Sequence, residues 1–241
     1  MLTTHAGRLN GPPELTEVTR AIQRGASSDI EAAMPLIRKS MADVIKQQAN
    51  AGIDIVSDGE LGKIGFGLSY YGKRLTGLGT RPVREGEAPT MSAGTAERIE
   101  FAEFYADLAR GGQGFGAGGG GPAQRNIING PIAYIGQAEV AKDIELFKTS
   151  LAESGAKVEE TFMCVLAPGW LEHFFYNEYY KTDEEYLFVL AEAMHSEYKA
   201  IVDAGFILQL DDPGLPDTYD MIVPNPTIEE YAGSPKYVSR R

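Results

Sequence analysis

The stretch that decides the fold runs Phe206-Ile207-Leu208-Gln209-Leu210-Asp211-Asp212-Pro213. An apolar run that ends abruptly in this way is typical of a strand buried on both faces of a parallel sheet. Pro213 has no N–H to donate to a neighbouring strand, so the strand is predicted to stop there. Asp211 and Asp212 therefore follow the carboxyl end of a strand, where α/β folds place their chemistry.

A similar unit occurs upstream. Ala204-Gly205 precedes the deciding strand, and Ala51-Gly52 likewise leads into the apolar run Ile53–Val56 and then into Ser57-Asp58-Gly59-Glu60. Both segments are predicted to contain a helix that stops at Ala-Gly, a buried strand and an acidic end. A repeated helix-to-strand unit with acids at one edge is the main organising signal of this sequence.

Composition limits the classes of function. The chain has 241 residues, 43% of them hydrophobic, and a formal net charge of -12. The length allows one large domain with a sizeable core, and the negative charge disfavours nucleic acid and anionic membranes as partners. Cys164 is the single cysteine, the first residues do not resemble a signal peptide, and no stretch is apolar enough to span a membrane. A cytoplasmic protein is expected.

Strands and helices alternate along the chain. Five strands are predicted, near Leu2–His5, Ile53–Ser57, Ile127–Tyr134, Glu160–Leu166 and Phe206–Asp211. Helical periodicity is found near Ile30–Ile45, Val140–Leu151 and Leu187–Val202. This alternation predicts parallel, consecutive strands, either as a barrel cut short or as an open doubly wound sheet.

Several helix boundaries are also predicted. Ser28 with Glu31, and Thr182 with Glu185, have the spacing of capping boxes. Pro35 conflicts with a straight helix from Ser28, so either a kink or a start nearer Met34 is expected.

One region departs from the alternation. Residues 61–123 form a long insertion after the second strand, and Ala96–Leu108 within it could hold a short helix. The segment Gly111–Gly121 contains eight glycines in eleven residues, which is typical of a spacer or a lid. It lacks the Lys-Ser/Thr pair of a phosphate-binding loop. We therefore expect a single, partial barrel domain over residues 1–241, with residues 61–123 as an insertion or lid within it.

The candidate site residues are those that follow the predicted strands. Glu60 and Asp211 are expected to point into the space beyond the sheet, where carboxylates bind an amino group, hold a metal or move a proton. The alternative is that such acids only cap the next helix, and capping or a structural hydrogen bond is the favoured role for Asp58 and Asp212.

Histidine and cysteine provide the remaining candidates. His5 ends the first predicted strand and is a candidate ligand or substrate contact, the alternative being a buried imidazole bonded to backbone. His173, in the aromatic segment Trp170–Tyr180, is a further substrate-binding candidate, whereas His195 is expected on the surface. Cys164 lies in the middle of a strand and is expected to be a small core residue rather than a nucleophile.

Three motifs resemble a known family when they are taken together. They are Thr3-Thr4-His5-Ala6-Gly7, Gly52-Ile53-Asp54-Ile55-Val56-Ser57-Asp58-Gly59-Glu60 and Gln209-Leu210-Asp211-Asp212-Pro213. In this order they resemble the cobalamin-independent methionine synthase family, and more closely its short stand-alone members related to the epoxyalkane–coenzyme M transferases. Asn177–Tyr180 and Thr182–Tyr186 fit the same subgroup, and the resemblance covers His5 to about Tyr231.

The resemblance implies a fold and a reaction. It implies a TIM (β/α)₈-barrel type that binds zinc and transfers an alkyl or methyl group to a thiol, with acids matching Glu60 and Asp211 holding the amino group of a thiol amino acid. It does not identify the alkyl donor. A complete barrel of this type has eight βα units, and the chain contains about the first five of them. An incomplete barrel is therefore expected.

Two departures from the family pattern qualify this expectation. Arg8 stands where the family usually has serine, and the family's zinc ligands, His-x-Cys, a glutamate and a second cysteine, are absent beyond Asp212. Zinc is expected in the complete family but not in this chain alone. The chain is then either a truncated product or a part that a companion chain or a second copy completes. The alternative functions are a metal-free, inactive binding or assembly module and a decarboxylase or lyase on the same scaffold.

Overall fold

The computed structural model of the chain describes residues 1–23, 30–65, 68–87, 95–110 and 124–233. The helices are α1 (Pro13–Gln23), α2 (Ile30–Asn50), α3 (Leu68–Tyr71), α4 (Ala96–Glu100), α5 (Ala102–Arg110), α6 (Gln137–Ser154), α7 (Pro168–Leu171), α8 (Asp183–Asp203), α9 (Gly214–Met221) and α10 (Ile228–Gly233). The strands are β1 (Ile55–Ser57), β2 (Leu78–Pro82), β3 (Gln124–Ile128), β4 (Glu160–Leu166), β5 (Tyr176–Asn177) and β6 (Ile207–Asp211). The predicted α/β class is confirmed.

The chain divides into two compact units. The first comprises Met1–Thr76, Ala133–Val165 and Glu192–Asp211. The second comprises Gly77–Ile132, Leu166–Ala191 and Asp212–Arg241.

The sheet of the first unit has the strand order β1-β4-β6. Strand β1 pairs in parallel with β4, with Ile55 opposite Glu160, and Thr4 forms a parallel bridge to Ile55 on the other side of β1. Four of the five predicted strands therefore lie in this sheet, although the first is reduced to the bridge at Thr4. Strand β1 pairs directly with β4, so Ile127–Tyr134 does not lie between them as predicted. Since β1 and β4 are parallel, their carboxyl ends lie at the same edge of this sheet.

Glycine ends the helices of the first unit where the sequence predicts. Gly52, which follows α2, has a φ of 83° and donates its N–H to Ala49 O at 3.0 Å. Gly155, which follows α6, has a φ of 61°. Both are left-handed caps, a conformation that glycine adopts without the steric penalty of a Cβ.

The core of the first unit lies between helices and sheet. Helix α2 buries Ile37, Met41 and Ile45 and packs against α6, whose Ser150 Oγ donates to Arg38 O at 3.3 Å. The rings of Phe147 and Phe206 stack with centroids 4.8 Å apart. The apolar periodicity of α2 and α6 thus faces the core, as an amphipathic helix requires.

The start of α2 differs from one prediction. The helix begins at Ile30 and continues through Pro35, so the expected later start near Met34 is wrong. The capping box at Ser28 lies outside the described residues. The Thr182 half of the second capping box is confirmed, because Thr182 Oγ1 accepts the N–H of Glu185 at 3.0 Å. Glu185 Oε2 accepts the N–H of Lys181, at 3.1 Å, in place of that of Thr182.

The second unit contains a sheet that was not predicted, with the strand order β2-β3-β5. Strand β3 pairs antiparallel with β2 and parallel with β5. The prediction that Ile127–Tyr134 forms a consecutive parallel strand of a barrel is therefore wrong. The described strands lie in two three-stranded sheets rather than one closed barrel, since β2, from the insertion, takes the edge of β3 and Pro131 interrupts the strand.

The insertion contains regular structure. Strand β2 and the helices α4 and α5 lie within residues 61–123, and the two helices cover the predicted helical segment Ala96–Leu108. The glycine-rich stretch Gly111–Gly121 lies outside the described residues.

Candidate functional site

The site is built on the loop that follows β1. Asp58 is buried, and its Oδ1 accepts the N–H of Glu60 at 2.9 Å, while Ser57 Oγ accepts the N–H of Gly59 at 3.1 Å. Glu60 has a φ of 58° and is the one non-glycine residue with positive φ in the described chain. Backbone strain of this kind persists only where the surroundings enforce it, and it clusters at functional sites.

The prediction for Asp58 is confirmed by this turn, since its carboxylate makes a structural hydrogen bond. Glu60 does not cap a helix, because the next helix begins only at Leu68. The capping alternative is therefore wrong for Glu60.

Arg8 fixes the same loop from the N-terminal segment. Its Nη2 donates to Glu60 O at 3.0 Å and to Lys63 O at 2.6 Å, and Leu9 N donates to Gly59 O at 3.1 Å. The arginine that departs from the family pattern thus has a defined structural role, which is to hold the backbone of the acidic loop.

Lys63 brings a positive charge into the acidic loop. Its Nζ donates to Cys164 O on β4 and lies 3.6 Å from Glu60 Oε2, and about a fifth of each of the Lys63 and Glu60 side chains is exposed. Burial lowers the pKa of Lys63, but the carboxylates of Asp58 and Glu60 counteract it, so the pKa is raised overall. The side chain is therefore an ammonium that ties the loop after β1 to β4.

The pKa of the Cys164 thiol depends on the charged side chains around it. The thiol is buried, and burial raises its pKa to about 12, with further increases from Glu60 and Asp211 and an opposing effect of Lys63. Cys164 is a protonated core residue, as predicted. Because both acids act on the same thiol, Glu60 and Asp211 lie within electrostatic range of one point on β4.

His5 and Asp211 occupy strand ends of the first unit. His5 follows the bridge at Thr4, is half-buried, and has a buried Nε2 without a hydrogen-bond partner among the described residues. Such an unsatisfied atom is costly in a folded chain unless another group satisfies it. Asp211 is the last residue of β6 and is half-buried. The substrate-binding roles of both residues stay predictions.

His173 lies in the second unit. Its Nδ1 is 2.8 Å from Gly169 O and its Nε2 is 3.1 Å from Thr218 Oγ1, so protein atoms engage both ring nitrogens. These bonds hold the imidazole between α7 and α9. Its role as a substrate contact stays a prediction.

Asp212 does not have the predicted role. Helix α9 begins at Gly214 after Pro213 without a side-chain cap, and Asp212 Oδ1 is buried without a hydrogen-bond partner in the described part of the chain. The expected cap or structural bond is therefore wrong for this oxygen. The physical reason is that Pro213 occupies the N-cap position, so Asp212 lies one residue before the position from which a side chain caps the helix.

A buried polar network in the first unit was not predicted from the sequence. Arg74 Nη2 lies 2.6 Å from Asp143 Oδ2, Arg74 Nη1 lies 3.5 Å from Glu197 Oε2, and Tyr134 donates to the same Glu197 oxygen at 2.8 Å. Arg74, Tyr70 and Asp143 line a cavity of about 910 Å³ between α2 and α6. Burial raises the pKa of Asp143 to about 6.

Lys63 is the functional candidate that sequence reasoning missed. A signal was available, since Lys63 follows Glu60 by three residues in a predicted strand-end loop. Its pairing with Glu60 depends on the left-handed turn at Glu60, which sequence spacing does not reveal.

The zinc implied by the family resemblance does not fit the described residues. They contain no group of three or more His, Cys, Asp or Glu side chains arranged to hold a metal ion. Cys164, the sole cysteine, is buried in the middle of β4. Within the described chain, no helix combines the length and the apolar character needed to cross a membrane.

Comparison with known proteins shows what the chain is similar to. No protein family model matches the chain. A methionine synthase of Saccharolobus islandicus is 27% identical over 219 residues, which are 88% of this chain and 53% of that protein. The methionine synthase of Sulfolobus acidocaldarius is 24% identical over 216 residues, covering 88% and 52%. The chain thus spans about half the length of the curated relatives it matches.

Solved structures share the fold. A B12-independent methionine synthase from Shewanella sp. W3-18-1, in complex with selenomethionine, matches with a TM-score of 0.56 and 18% identity over 90% of this chain and 53% of that one. A putative B12-independent methionine synthase from Listeria monocytogenes matches with a TM-score of 0.53 and 17% identity, covering 88% and 52%. The resemblance seen in the sequence motifs is confirmed, since the chain is similar in sequence to methionine synthases and in fold to B12-independent methionine synthases.

Proposed function

We propose that the chain is a methionine-synthase-like transferase domain that binds the thiol substrate of an alkyl transfer at the loop after β1. The observation that supports this most is the unsatisfied Nε2 of His5, because a buried ring nitrogen at a strand end is a ready partner for a ligand atom. The strained Glu60, its partner Lys63 and the nearby Asp211 supply charges around the same loop.

In the proposed reaction, the sulfur of the bound thiol attacks the alkyl carbon of a donor. The new S–C bond forms as the bond between the carbon and the donor breaks, and the donor leaves with that electron pair. The thiol proton is first lost to water, and a nearby ammonium such as Lys63 favours the anionic sulfur by its charge. His5, Glu60 and Asp211 would bind and orient the thiol.

Thiol binding tests the proposal. Wild-type chain is titrated by calorimetry with two thiols, homocysteine and 4-mercaptobutyrate, and we expect at least one of them to bind. His5→Ala should weaken that binding about tenfold, the effect of about one lost hydrogen bond, whereas His195→Ala on the exposed face of α8 should leave it unchanged. Binding of neither thiol, or equal losses in the two variants, would contradict the proposal.

A second candidate is a metal-free binding module on the same scaffold. The donor set favours it, because the described residues offer no group of three or more His, Cys, Asp or Glu side chains that could hold a metal ion. Zinc analysis and thiol alkylation assays on one sample distinguish the two. Turnover supports the transferase, whereas thiol binding without turnover, with or without added zinc, supports the binding module.

The sequence also predicts a homo-oligomer or a companion chain. Strand β6 is last in its sheet order, and Ile207 and Leu210 on it are 45% and 50% exposed. An apolar edge strand of this kind is prone to pair with another strand. We propose that a second chain covers β6, and light scattering should then give a mass above that of one chain.

A further inference from the structure

The cation that Glu60 binds is already part of the chain. Lys63 Nζ lies 3.6 Å from Glu60 Oε2, and the two side chains are largely buried. Lys63 also donates to Cys164 O, so that its ammonium is fixed to β4 as well as to the loop. The family resemblance, by contrast, implies that the acid matching Glu60 holds the amino group of the substrate.

The loop backbone keeps this ion pair in place. Lys63 N donates to Glu60 O at 3.2 Å, and Arg8 Nη2 bridges the carbonyl oxygens of Glu60 and Lys63. With Glu60 held at a φ of 58°, the two side chains are presented together. Lys63 is therefore not a mobile surface lysine that a ligand displaces without cost.

A substrate ammonium at Glu60 would meet this second positive charge. Of the two acids that the family resemblance assigns to the amino group, Glu60 is already paired with Lys63. The two positive charges repel each other, and in a partly desolvated site the repulsion is far greater than in water. The charges of Asp58 and Glu60 keep Lys63 protonated, so it does not yield by losing its proton. Arg8, bound to the same loop, adds positive charge.

We infer that Lys63 sets the specificity of the site, which selects a thiol without an ammonium group in place of a thiol amino acid. The inference rests on the proposed thiol-binding function and refines it. Glu60 then acts through Lys63, by holding its ammonium beside the ligand, rather than by touching the substrate amino group itself.

Two thiols that differ only in the amino group test the inference. 4-Mercaptobutyrate is homocysteine without its α-amino group. In calorimetric titrations at pH 7, wild-type chain should bind 4-mercaptobutyrate at least tenfold more tightly than homocysteine. Lys63→Met should reduce this ratio at least tenfold, because it frees the Glu60 carboxylate, whereas Lys63→Arg keeps the charge and should preserve the ratio.

A second variant keeps the test decisive if Lys63→Met fails to fold, which circular dichroism detects. Glu60→Gln should leave the preference for 4-mercaptobutyrate in place, since Glu60 does not bind the substrate amino group. The inference would be overturned if the wild type bound homocysteine more tightly than 4-mercaptobutyrate, or if Glu60→Gln lost affinity for homocysteine only. Either result would leave the proposed thiol-binding function intact. If neither thiol binds to the wild type, the proposed function fails and this inference fails with it.

Discussion

Gln48 and Ser57 exchange two hydrogen bonds inside the first unit. Gln48 Nε2 donates to Ser57 O at 2.9 Å, and Ser57 N donates to Gln48 Oε1 at 3.1 Å. Both residues are buried, at 4% and 3% exposure. Because Ser57 ends β1, a side chain of α2 completes the backbone pairing of the strand from which the acidic loop departs.

Replacing Gln48 should therefore destabilise the chain strongly. Gln48→Leu removes both of these buried hydrogen bonds, and we expect the free energy of unfolding to fall by about 3 kcal/mol. Gln47→Leu, on the exposed side of α2, is the matched control and should change it by less than about 0.5 kcal/mol. Urea denaturation measures the free energy of unfolding of both variants. Equal changes in the two variants would show that the two hydrogen bonds contribute little to stability.

The Arg74–Glu197 pair gives a prediction about coupling. Arg74→Leu leaves the buried carboxylate of Glu197 without its cation, and a loss of about 3–5 kcal/mol is expected. The double variant Arg74→Leu/Glu197→Leu should cost less than the sum of the single losses by more than about 1 kcal/mol. Additive losses in thermal or urea unfolding would refute the coupling.

Glu172 should make stability depend on pH. Burial, followed by the charges of Asp183 and Asp212, raises the pKa of Glu172 from 4.5 to about 8 in the folded chain. The folded state thus binds this proton more tightly than the unfolded state, so the stability that it contributes is lost as pH rises from about 4.5 through about 8. The unsatisfied Glu172 Oε2 is consistent with a protonated, buried carboxyl group.

Glu172→Gln should remove this dependence. We expect the variant to be more stable than wild type by about 1–2 kcal/mol at pH 9, a value reduced from the full shift because the side chain is partly exposed. The difference should shrink as pH falls toward 5. Glu192→Gln, at an exposed position of α8, should follow the wild-type profile, and an unchanged pH profile in Glu172→Gln would disprove the assignment.

Much of the first unit was predictable because its boundaries depend on local chemistry. The bounds of β4 match the prediction, since an apolar run ends just before the breaker at Ala167-Pro168-Gly169. The ends of α6 and α8 follow from Gly155 and from the Thr182 cap. These signals depend only on residues that are close in sequence, so they can be recognised without knowledge of the fold.

The features that the sequence did not reveal depend on distant partners. The direction of β3 is set by its neighbours β2 and β5, and no residue within β3 encodes it. The ion pair of Lys63 depends on a backbone angle at Glu60, and the burial of Glu197 depends on Arg74. His5, Glu60 and Asp211 were predicted as site residues from strand ends and family resemblance, and their roles await the experiments proposed above.

The most direct test of the central claim is to locate a bound thiol by NMR chemical-shift mapping with 4-mercaptobutyrate. The account predicts shifts that saturate together at His5, Glu60, Lys63 and Cys164, with none at Met34 and Thr149, which line the cavity between α2 and α6. Shifts confined to that cavity, or absent from His5 and Lys63 when the ligand is bound, would contradict it.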